Sequence, residues 1–86
     1  MVPVMEQWGP WDPALDEAER RACIRALRQT GRLLTGRRGA EFCQWLAKAE
    51  ADPSALEPAR HALNAMAATD RRQIWAAYAG LINSAA

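Results

Sequence analysis

Residues 13–34 read PALDEAERRACIRALRQTGRLL, and the spacing of their apolar and basic side chains decides the fold class. At about 100° per residue, Leu15, Ala22, Ala26, Thr30 and Leu33 gather on one side of a helix, and Cys23, Leu27 and Leu34 widen that face. Arg21, Arg25, Arg28 and Arg32 recur at i, i+4, i+7 and i+11, which sets them in a narrow stripe opposite. The pattern is that of an amphipathic helix. Ile24 falls between the apolar face and the stripe. Asp12 as N-cap with Pro13 in the first helical position starts the helix at about residue 13, and Asp16 with Glu19 offers a second possible start. The helix ends near residue 30, or near 34 if Gly31 is absorbed.

Toward the C-terminus, TGRRG at 35–39 reads as a loop by its two glycines. A second helix follows over about 40–50, with Phe42, Trp45, Leu46 and Ala49 on one face, and Asp52–Pro53 ends it. The third starts either from a Ser54–Glu57 capping box or with Pro58 in the first position, and its face is Ala59, Ala62, Leu63 and Met66. Thr69–Asp70 opens a fourth, with Asp70 and Gln73 as a further capping box and Ile74, Trp75, Tyr78, Leu81 and Ile82 as its apolar face. No segment alternates with period two over strand length. Toward the N-terminus, residues 1–12 (MVPVMEQWGPWD) hold two prolines, a glycine and two tryptophans, which oppose a helix. The expected architecture is all-α: a small four-helix bundle over 13–86 behind an extended Trp- and Pro-containing arm over 1–12.

Eighty-six residues make one domain, and a chain this short buries only roughly 60–65% of its unfolded surface. Half of the residues are hydrophobic, but 19 of them are alanine, so the core is thin. Thin cores are often completed by a second copy or a partner. The small residues Ala76, Ala79 and Gly80 offer a surface for a homo-oligomer, against the simpler reading of an exposed last helix.

The net charge is only +1, yet the charges are segregated. Residues 1–19 carry five acids and no base, whereas residues 20–40 carry seven arginines and no acid. Such asymmetry points to an anionic partner. Arg21, Arg25, Arg28 and Arg32, with Arg37 and Arg38 in the loop, can donate paired hydrogen bonds to phosphate or carboxylate oxygens. The simpler reading is a solvated face, for which Glu17 supplies one partner four residues before Arg21. Trp8 and Trp11 are the second candidate site. Large aromatics on an arm anchor well in a partner's groove, but they also serve to cap a thin core of their own chain.

Signatures of chemistry are missing from the sequence. No phosphate-binding loop, nucleophile elbow or paired carboxylates occur, and TGRRG lacks a P-loop's lysine and spacing. Cys23, Cys43 and the single His61 match no zinc spacing. A helix-turn-helix over residues 22–45 would put Glu41 against phosphates after a loop longer than the usual turn. No leader of basic and then apolar residues opens the sequence, and no apolar run approaches the ~20 residues that span a bilayer. A cytoplasmic protein with free thiols is therefore expected, with no cofactor and no membrane partner. The function expected is a non-enzymatic protein-binding module: an adaptor, regulator or inhibitor. The alternative is a nucleic-acid-binding accessory protein that uses the arginine stripe and the TGRRG loop.

Overall fold

A computed structural model describes residues 9–85 as an all-α domain. Its helices are α1 (Glu17–Thr35), α2 (Ala40–Ala49), α3 (Leu56–Ala65) and α4 (Ala68–Ala85), with 3-10 turns at Gly9–Trp11, Gly36–Gly39 and Pro53–Ala55. None of the helices among the described residues is long and apolar enough to cross a membrane. Residues 1–8, Trp8 included, lie outside the described residues.

Of the two starts open to α1, the chain uses the later one. The Asp16 carboxylate accepts from the Glu19 backbone N–H at 2.8 Å, and Glu19 returns the bond to the Asp16 N–H at 3.0 Å. This reciprocal box satisfies two donors that a helix start otherwise leaves open. Asp12 instead caps a local turn, accepting from the Ala14 N–H at 2.9 Å. Arg20 reaches back across that turn and donates to the carbonyls of Pro10, Asp12 and Leu15. At the other end, α1 runs through Gly31 and stops at Gly36, whose φ of +52° and ψ of −119° suit only a residue without Cβ.

The buried face of α1 is rotated from the one expected. Ile24, Leu27, Thr30, Gly31 and Thr35 are buried, while Ala22 is exposed and Leu33 stands 77% exposed. The expectation counted alanines as core and gave no weight to Gly31 or Thr35. Packing keeps part of that face, with Leu27 and Thr30 buried and Cys23 and Ala26 packed against the core, and shifts the rest. α2 lies along the bare backbone at Gly31, where a methyl group would already touch Cys43 Sγ at 3.4 Å and Phe42 Cε2 at 3.5 Å. The two threonines are buried without loss because their hydroxyls donate one turn back, Thr30 to Ala26 O and Thr35 to Gly31 O.

α2 buries Phe42, Leu46 and Ala49 as its spacing predicts, with Trp45 half-buried beside them. α3 buries Ala59 and Leu63, and α4 buries Ile74 and Tyr78. The predicted face of α4 ends early, because Leu81 is 44% exposed; the Ile82 side chain lies outside the described residues. Two predicted caps are also replaced. Asp52, not Ser54, caps the turn before α3, accepting from the Ser54 N–H and hydroxyl. Asp70 is engaged by Arg38 instead of serving a box with Gln73.

The described end of the N-terminal stretch is not extended. Gly9 and Pro10 are buried in the Gly9–Trp11 turn, and the Trp11 ring meets Trp75 edge-on at 6.3 Å. Trp75 in turn meets Tyr78 at 5.6 Å, so three aromatic rings stack by their edges from the N-terminal turn into the core.

Candidate anion-binding groove

α1 and α2 are antiparallel neighbours folded about the Gly36–Gly39 turn, and a groove open to solvent runs between them. Its main part, about 710 Å³, is lined by Arg25, Arg28, Gln29 and Arg32 from α1 and by Cys43, Gln44 and Ala47 from α2. A second part, about 360 Å³, shares Arg32, Cys43 and Gln44 and adds Gly36, Arg37 and Ala40. The sequence produces this shape by contrast of size. Long arginines recur on the flank of α1, while Ala40 and Ala47 keep the facing edge of α2 low.

The arginines are not equivalent. Arg25 Nε donates to Glu50 Oε1 at 2.6 Å, and Arg28 Nη1 lies 2.9 Å from Glu50 Oε2. One carboxylate at the end of α2 thus holds two guanidiniums of α1. Arg21 pairs with Glu17 at 2.9 Å along its own helix. Arg32 and Arg37 have no carboxylate within ion-pair distance among the described residues. They continue the row along the groove and leave its far end cationic.

Arg38, expected to act with Arg37, is separated from it. Its Nε and Nη2 grip both oxygens of Asp70 at 2.9 and 3.1 Å, which ties the Gly36–Gly39 turn to the first turn of α4. The hydrogen bonds from Arg38 hold the Asp70 carboxyl below its ordinary range, against the opposing effect of burial. A carboxyl whose pKa is depressed by folding stabilises the native state above its unfolded pKa, near 3.9, and that contribution is lost as pH falls through the folded value. Urea midpoints measured from pH 6 down to pH 2 should therefore fall below about pH 4. Asp70→Asn should start lower at pH 6 and fall less; an unchanged acid limb in the variant would remove Asp70 from the account.

The floor of the groove is Cys43. Its thiol donates to the Arg28 carbonyl at 3.6 Å. Burial pushes the Cys43 thiol up, with Arg28 and Arg32 pulling partly the other way, so it is protonated at neutral pH and acts as an apolar floor. Among the described residues no group of three or more His, Cys, Asp or Glu side chains is placed to hold a metal ion, and His61 is 79% exposed.

Trp11, the describable half of the predicted aromatic anchor, is half-buried, and its indole N–H donates to Leu56 O at 2.7 Å across 45 residues of chain. Its placement matches the other role considered for it, completing the core of its own chain. Glu50 is the residue that sequence reasoning missed. Two helices folded back about residues 36–39 bring Gly31 opposite Cys43, and six or seven residues farther from the turn on each side they bring Arg25 opposite Glu50. Hairpin register was the signal that pointed to it.

The all-α fold and the cationic groove together define a small helical domain with an arginine-lined face. No family model matches the chain, and neither a curated protein nor a solved structure is significantly similar to it.

Proposed function

We propose that the protein is a non-enzymatic protein-binding module whose α1–α2 groove receives an acidic segment of a larger partner. One observation carries this reading: two arginines that line the groove, Arg25 and Arg28, already hold a carboxylate, Glu50, at the edge of the groove, and the row continues to Arg32 and Arg37, which lack one. Planar guanidiniums in series suit a chain of carboxylates.

Arg32 and Arg37 are the residues to change, because reversing them breaks no ion pair of the fold. Fluorescence anisotropy of a labelled ten-glutamate peptide would be compared with labelled duplex DNA, single-stranded DNA and RNA at about 50 and 200 mM salt. The peptide should bind the native protein, and Arg32→Glu/Arg37→Glu should weaken it by about tenfold or more, which is 1.4 kcal/mol or greater. Steeply salt-dependent binding of a nucleic acid without binding of the peptide would replace this reading with a nucleic-acid one.

A further inference from the structure

Two of the cross-helix ion pairs of this chain have contrasting geometry. Arg38 grips Asp70 with two hydrogen bonds, one to each carboxylate oxygen, and the Asp70 side chain is only 12% exposed. Glu50 is shared. Arg25 gives it one hydrogen bond through Nε, and Arg28 faces the other oxygen as an ion pair. Neither arginine presents its paired fork to Glu50, and paired forks make the stronger contacts. Both arginines also stay in reach of water, Arg25 with 66% and Arg28 with 37% of its side chain exposed.

Glu50 is also poorly placed by the standards of its own helix. It is the C-cap of α2, beside the end where the helix dipole is negative and a carboxylate is disfavoured. Cations belong there, and none is supplied by α2 beyond Lys48, whose ammonium sits 4.7 Å over the Trp45 ring. The two arginines of α1 are what hold Glu50 in position. Its removal strands no buried charge, since both guanidiniums can be hydrated where they stand.

We infer that Glu50 is an internal competitor for the groove: it occupies Arg25 and Arg28 in the free protein and is displaced by a carboxylate of the incoming acidic segment. The inference rests on the reading of the groove given above. With Glu50 displaced, Arg25, Arg28, Arg32 and Arg37 form one uninterrupted row along both parts of the groove. Glu50 then sets the threshold of binding. A segment with a single acid gains little by exchanging one carboxylate for another, whereas a segment with several acids gains Arg32 and Arg37 as well.

The test is the affinity of Glu50→Gln, with Glu50→Ala beside it, for the labelled ten-glutamate peptide, after circular dichroism has shown that each is folded. Both variants should bind the peptide about three- to tenfold more tightly than the native protein, the range expected from freeing two partly exposed ion pairs. In the native protein, the Arg25 Nε–H resonance should shift as peptide is added, because its acceptor changes. If the native protein binds the peptide and Arg32→Glu/Arg37→Glu abolishes that binding, but the Glu50 variants bind no tighter, the competitor role is overturned and the groove reading survives. If neither the native protein nor the Glu50 variants bind the peptide, both are overturned. Tighter binding of single-stranded DNA by the Glu50 variants, without tighter binding of peptide, would assign the row to a nucleic acid and also overturn the inference.

Discussion

Phe42→Ala is expected to cost about 3–5 kcal/mol, the range for truncating a large aromatic in a packed core. Phe42 is 1% exposed and is among the largest fully buried side chains. A domain of 86 residues has a total stability on the order of 4–13 kcal/mol, at about 0.05–0.15 per residue, so one substitution removes a large part of it. The position matters as much as the size of the ring. Phe42 lies against Gly31, where α1 has no side chain to move into the space. The cavity therefore stays open, and sites that cannot collapse lie at the upper end of the range. Urea denaturation of native and variant protein reads the difference directly. A loss below about 1 kcal/mol would show that the α1–α2 contact is not the centre of the core.

Trp11→Ala should cost about 2–4 kcal/mol, less than a fully buried aromatic because the ring is half exposed. It loses the edge contact with Trp75 and leaves the Leu56 carbonyl without its donor at 2.7 Å. Trp11→Phe separates the two effects. It keeps most of the apolar area and removes the hydrogen bond, so its cost should be about 1 kcal/mol. The comparison also decides between the two roles of this tryptophan. A residue that completes the core lowers the melting temperature of the isolated protein when truncated. A partner anchor leaves that temperature unchanged and weakens only binding.

Much of the helical organisation was legible in the sequence because its signals are local. The face of Phe42, Leu46 and Ala49 and the arginine stripe rest on neighbours within one to three turns, as does the Asp16–Glu19 box, which the sequence offered only second to a start at Asp12–Pro13. The buried face of α1 was misjudged for a physical reason. Alanine and leucine score as apolar wherever they stand, but the partner helix packs its aromatic ring on the bare backbone at Gly31, and the buried strip runs on to Thr35. Leu33 was left in water by the same choice. Arg37 and Arg38 are adjacent in sequence and identical in type, yet one lines the groove and the other closes on Asp70, 32 residues away.

The sequence by itself determined that this chain is helical and where its basic residues repeat, because backbone hydrogen bonding and caps are settled over spans of about four residues. Only the tertiary structure decided which arginines are engaged and which remain available. Glu50 reaches Arg25 across 25 residues and Trp11 reaches Leu56 across 45, distances over which no periodicity carries information and only the packing of one helix on another selects the partner.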